Sequence, residues 1–220
     1  MSALPASSTP RASGCVVDPN LFEIGAAMPG HYGAEATGVT LAETTIAGAW
    51  NVQGDARRPA FLAATREVFD LELPTTPNGT ARTEGRTEAL TALWLGPASW
   101  LVVASGDSAL ADVDAMRDAL NAAGGAVFDV STSRVAWTIA GGQAATVLAK
   151  GCPLDFHQRA FEEGTCAQSV FARVNALFYR RAAAPVFTML VARSFARDAW
   201  RALCLSAAPC GYDVLPPRSF

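Results

Sequence analysis

Cys152, Asp155, His157 and Cys166 form the densest run of metal-ligating residue types in this chain. Thiolate, carboxylate and imidazole all suit zinc, and Cys152 to His157 is a short reach. The spacing nevertheless matches no standard structural zinc pattern, and Pro153 makes a turn a sufficient explanation. A buried thiol and a surface imidazole beside a loop are the competing reading. Nucleophilic catalysis would need a base with a pKa near working pH, usually histidine. With only two histidines, residue types allow just the pairs Cys152–His157 and Cys166–His157. His31, the other histidine, has no partner that the sequence names.

Two arginine pairs, Arg57-Arg58 and Arg180-Arg181, could grip a carboxylate or phosphate; a solvated face or a partner's acidic residue is the favoured reading. Asp129-Val130-Ser131, at the end of a strand-like run, is the most pointed polar cluster. It could touch a ligand, or its side chains could bond to nearby backbone N–H groups and shape a turn. No G-x-G-x-x-G opens a helix after a strand and no G-K-[ST] phosphate loop occurs. Gly30-His31-Tyr32-Gly33 and Gly141-Gly142 are too isolated to cradle a dinucleotide. On these grounds no catalytic, cofactor-binding or metal-binding residue is assigned.

Composition narrows the class. The 220 residues are 50% hydrophobic but only 17% charged, against about 25% in an average soluble domain. That excludes disorder along the whole length. A net charge of −3 argues against nucleic-acid binding. Five cysteines, an odd number without a C-x-x-C pair, and no signal-peptide pattern at the N-terminus predict reduced thiols and a cytoplasmic location. The charge-free stretch 89–106 is long enough to be a membrane candidate, but Gly96-Pro97-Ala98-Ser99 interrupts it and predicts a β-hairpin.

The elements that must position these residues follow from periodicity. Residues 1–36 read as a loose arm. A strand is expected at 44–52, then a helix at 57–69 capped by Asp55, a loop at 74–86, the hairpin, and a helix ending near 122 capped by Asp107 or Ser108. The second half runs strand-like from 127 to 139 with a break near Ser131, then helical at 143–150. Extended runs follow at 168–174, 177–179 and 186–191, with a last helix at 195–205. Both halves share the order strand, helix, hairpin, helix, the split β-α-β plan of ferredoxin-like folds. The expected organisation is an arm at 1–36, α+β subdomains at 37–126 and 127–208, and a tail at 209–220.

An ordered set of strings carries a family resemblance. Gly38-Val39-Thr40-Leu41, Gln53-Gly54-Asp55-Ala56, Leu71-Glu72-Leu73-Pro74 and Trp94-Leu95-Gly96-Pro97 are followed by Asp129-Val130-Ser131. Lys150-Gly151-Cys152-Pro153-Leu154-Asp155-Phe156-His157, Cys166-Ala167-Gln168 and Arg193-Ser194-Phe195-Ala196 complete the set. Together, over about 37–205, they resemble the gamma subunit of heterotetrameric sarcosine oxidase. The resemblance implies an α+β fold like the folate-binding domain of aminomethyltransferases, with two ferredoxin-like subdomains. It also implies a non-catalytic, structural role in a complex of alpha, beta, gamma and delta chains. That complex oxidatively demethylates sarcosine to glycine, passing the one-carbon unit to tetrahydrofolate or releasing formaldehyde, and forms hydrogen peroxide. FAD, FMN, NAD, tetrahydrofolate and zinc are then expected on the other subunits and none in this chain. A stand-alone folate-binding protein, or the same subunit serving another N-methyl amino acid, are the alternatives.

The more distant aminomethyltransferase kinship is testable at one hairpin. In those enzymes it bears a Gly-Gly turn and an acidic pair. Residues 171–181 here have neither, so that acidic role does not carry over.

Overall fold

A computed structural model describes residues 28–83, 89–105, 113–182 and 184–220. The chain enters through β1 (Gly30–Tyr32) and β2 (Val39–Thr45), then builds its first unit. This comprises β3 (Gly48–Gln53), α1 (Pro59–Phe69), β4 (Thr80–Arg82), β5 (Leu90–Gly96), β6 (Ser99–Ala104), α2 (Val113–Ala122) and β7 (Ala126–Asp129). The second unit contains β8 (Arg134–Ala140), α3 (Ala144–Ala149), β9 (Thr165–Phe171), β10 (Val174–Ala182), β11 (Val186–Ala192), α4 (Ala196–Ala207) and β12 (Tyr212–Ser219).

The first unit forms a five-stranded sheet in the order β4-β5-β6-β3-β7. Leaving out the short β4, this is the antiparallel arrangement of a split β-α-β unit, with β3 and β6 central. The second unit has the same plan, with one insertion. Its seven-stranded sheet runs β1-β12-β2-β8-β11-β10-β9, so β2 from the N-terminal part lies between β12 and β8. The duplication expected from sequence is therefore present, with one strand lent across.

Period-two alternation decides how the sheets stack. On β6, Trp100, Val102 and Ala104 pack with Phe61 and Phe69 of α1 and with Met116 and Leu120 of α2. Leu101 and Val103, pointing the other way, meet Leu177 and Tyr179 of β10, Leu190 of β11 and Ala136 of β8. The alternate residues of the second sheet, among them Trp137, Phe178 and Met189, bury against α3 and α4. The result is four layers, with the two sheets face to face and helices outside each. Three apolar cores take up the buried hydrophobic residues.

Local expectations were met or changed for identifiable reasons. The hairpin at 89–106 is β5 and β6, and among the described residues no helix is long and apolar enough to cross a membrane. The single strand expected at 44–52 is two, broken after Thr45, because the chain leaves one sheet for the other there. Asp55 does not cap α1. It accepts from the Arg57 N–H in a preceding turn, and Pro59 opens the helix with a fixed φ. Gly124 (φ +79) ends α2, the Gly125 N–H reaching back to the Leu120 carbonyl. The cap expected at Asp107 or Ser108 lies outside the described residues. The expected loop at 74–86 contains β4.

The proposed boundaries also shift. Residues 209–220 are not an appended tail: β12 pairs in parallel with β2 and buries Tyr212 and Val214. Within the expected arm, residues 30–32 form β1 on the other side of β12. The first unit extends to Asp129 through β7.

Candidate functional site

The residues that the sequence offered for chemistry are drawn apart or occupied with backbone. Cys152 is buried among side chains between the seven-stranded sheet and its helices, whereas Cys166 is buried between the two sheets. One sheet thus separates the two thiols. Burial pushes the Cys166 thiol up to about 11, so at neutral pH it is a thiol and not the nucleophilic thiolate. His157 is exposed and accepts the Arg159 N–H, while Asp155 accepts the His157 N–H at 2.8 Å. Among the described residues no group of three His, Cys, Asp or Glu side chains converges on a metal position.

The arginine pairs are likewise divided. Exposed Arg57 makes a two-pronged bond to half-buried Asp55. Arg180 is buried, donating to the carbonyls of Gln158 and Phe161 beside the Phe187 ring. His31, which had no foreseeable partner, bonds Asp213 through Nδ1 at 2.6 Å and the Ala34 carbonyl through Nε2 at 2.7 Å. The pair links β1 to β12 across 182 positions of sequence. No local signal announces such a contact.

The polar motif residues join the two units. Ser131 accepts the Ala49 N–H at 2.9 Å, and both its own N–H and its hydroxyl donate to Asp129 Oδ1. Those two donors hold the Asp129 carboxyl below the usual carboxylate range. Arg193 closes the same turn, with Nε donating to the Thr132 carbonyl at 2.6 Å. At the opposite side of the interface the Cys166 N–H donates to the Asn78 carbonyl, Thr80 Oγ1 to the Gly164 carbonyl, and Gln168 Nε2 to the Leu95 carbonyl. These three bonds cross from one unit to the other, whereas the Ser131 bonds hold the connecting turn to β3 and β7.

Lys150-Gly151-Cys152-Pro153 is structural in the same sense. The Lys150 ammonium donates to the Ser206 carbonyl of α4. A Cβ on Gly151 would lie 2.6 Å from the Phe171 ring, so only glycine fits. Phe156 of the same motif packs edge-on against Phe161, Phe178 and Phe187.

Among the described residues a cleft of about 550 Å³ opens at the margin of the inter-sheet face, lined by Leu95, Arg134, Gln168, Ser169, Val170, Asn175, Ala176 and Leu177. Among its described lining residues there is no acid, no histidine and no thiol. Its lining can bind and orient through one guanidinium and several amide or hydroxyl groups, but it holds no base or nucleophile. Sequence reasoning missed it, because its lining comes from four separated stretches of chain.

Comparison with known proteins gives a consistent result. The profile described as "Sarcosine oxidase, gamma subunit family" matches residues 53–209. The sarcosine oxidase subunit gamma of Corynebacterium sp. (strain U-96) is 33% identical over 160 residues, covering 71% of this chain and 74% of that protein. The Arthrobacter subunit gamma is 32% identical over 151 residues, covering 67% and 70% respectively. Among solved structures, a chain of heterotetrameric sarcosine oxidase from Corynebacterium sp. U-96, in complex with pyrrole 2-carboxylate, aligns with a TM-score of 0.71. Identity is 26%, and 81% of this chain and 88% of that one are covered. Aminomethyltransferase T of the glycine cleavage system from Bartonella henselae aligns at TM-score 0.58 and 16% identity, covering 82% and 48%. That second likeness concerns the fold, which is α+β and of the folate-binding-domain kind. With its order of motifs, its paired ferredoxin-like units and these matches, the chain belongs to the sarcosine oxidase gamma subunit family.

Proposed function

We propose that this chain is the non-catalytic gamma subunit of a cytoplasmic, heterotetrameric sarcosine oxidase. In this reading it assembles with alpha, beta and delta chains that carry FAD, FMN, NAD, tetrahydrofolate and zinc. The assembly converts sarcosine to glycine, with the one-carbon unit passing to tetrahydrofolate or leaving as formaldehyde, and hydrogen peroxide forming from oxygen. The observation that carries the reading is the match to 88% of a chain of a heterotetrameric sarcosine oxidase. The polar motif residues agree with it, since Ser131, Lys150, Gln168 and Arg193 bond to backbone carbonyls or N–H groups of this chain.

Folate chemistry does not fit the residues present. The β9–β10 turn is Ala172-Arg173, with side chains where the aminomethyltransferase hairpin has glycines, and residues 171–181 contain no acid. No methyl-transfer step on folate is assigned to this chain, and calorimetry with tetrahydrofolate tests the stand-alone folate-binding alternative.

The test is omission. Expressing the partner chains without this one should yield less assembled enzyme and little sarcosine-dependent peroxide, and adding the chain back should restore both. Full assembly and activity without it would refute the role. A panel of N-methyl amino acids offered to the restored complex separates sarcosine from other substrates.

A further inference from the structure

We propose that the cleft beside the inter-sheet core is a docking groove for an acidic segment of a partner subunit, one carboxylate of which pairs with Arg134. The inference rests on the subunit reading above and adds the surface and the chemistry of contact.

The floor of the groove is the inter-sheet face of the seven-stranded sheet, beyond the point where the five-stranded sheet covers it. Ala136, Leu190 and Leu177 form the last covered row across β8, β11 and β10, and Gln168 continues it, exposed, on β9. One step further out, Arg134 stands on β8, while Asn175 and Val170 face each other on β10 and β9. Four neighbouring strands span about 14 Å. That length, and a volume of about 550 Å³, suit an extended segment of roughly four residues better than a lone ion. The groove ends at β9, the outer strand of the sheet. There Val170 is exposed, giving an apolar foothold at the far end from the charge.

Arg134 supplies the selectivity. Its side chain is half-buried, and its Nε is buried without a hydrogen-bond partner. No carboxylate lines the groove. The nearest recess on the other side of Arg134 contains Glu43, whose electrostatic partner is Arg193. Burial lowers the Arg134 pKa, with no acid acting in opposition. A guanidinium desolvated without a counter-charge costs stability in the free chain, and an arriving carboxylate recovers that cost. Leu95 forms a wall of the groove and would cover the apolar neighbour of that carboxylate.

The test uses the full chain, wild type and Arg134→Gln, alone and with its partner subunits. The substitution should weaken assembly by about thirty-fold or more, the effect of unpairing a buried interfacial charge. It should also leave the urea midpoint of the free chain unchanged or raised, because an uncompensated cation has been removed. A photo-crosslinking side chain in place of Val170 should capture, in the assembled complex, a partner peptide carrying Asp or Glu. Wild-type affinity in Arg134→Gln overturns the proposal, as does a loss of assembly matched by a loss of free-chain stability. Crosslinking only to this chain's own residues also overturns it. So does Arg134-dependent retention of a small organic acid by the free chain while assembly is unaffected. If the wild-type chain itself fails to assemble, the subunit reading falls first, a result distinct from all of these.

Discussion

Ser131 stands where the two units meet, and its hydroxyl both accepts from the Ala49 N–H and donates to Asp129. Ser131→Ala removes both bonds and should cost about 1–2 kcal/mol, read as a lower urea midpoint at pH 7. The pH dependence has a definite sign. Because the Asp129 pKa is held below its unfolded value near 4, its contribution is complete above that value and is lost as pH falls through the folded one. The gap between wild type and Ser131→Ala should therefore narrow in acid. A gap that is constant from pH 7 to pH 3 would contradict this role for Asp129. The cluster was visible in the sequence as a strand-end Asp-x-Ser, and the turn-shaping reading of it is the one found. Ala49 and Arg193, which complete it, were not legible, since each lies more than sixty positions away.

The β9–β10 hairpin raises the issue of strain in a single element. Its two turn residues, Ala172 and Arg173, both have positive φ, 47 and 76, the conformation of a type I′ turn, which favours Gly and Asn. A non-glycine residue pays about 1–2 kcal/mol there, partly offset by the greater unfolded-state entropy of glycine. Ala172→Gly should stabilise the chain by roughly 0.5–1 kcal/mol and raise Tm by about 1–3 °C; an unchanged or lower Tm would contradict it. Elements with strong alternation or helical spacing, such as β5, β6, β8, α2 and α4, were legible within a few residues. The short or proline-bearing strands β1, β4 and β12 were not, because each exists only through a long-range neighbour and Pro216-Pro217 disguises the last.

Across the whole molecule, β2 and β12 tie the N-terminal part to the C-terminal end within one sheet, and Tyr212 is the main apolar anchor of that tie. It is 2% exposed and stacks on Tyr32 at 5.4 Å. Tyr212→Ala should cost about 3–5 kcal/mol, a Tm loss near 10 °C; a loss under about 2 °C would show that β12 is peripheral. The low charge content excluded disorder along the whole length but not where the apolar residues would go, since their division among three cores depends on the stacking of two sheets. It also could not reveal the Arg134 cleft, whose walls come from both units. The family resemblance was legible because its motif residues are fixed by backbone bonds and close packing. The central claim, membership of a four-chain oxidase, is tested most directly by the mass of the species recovered when this chain is co-expressed with the alpha, beta and delta chains. The account predicts one flavin-bearing particle containing this chain in equal proportion with the other three. Recovery of this chain as a separate, colourless species beside a complete oxidase would contradict it.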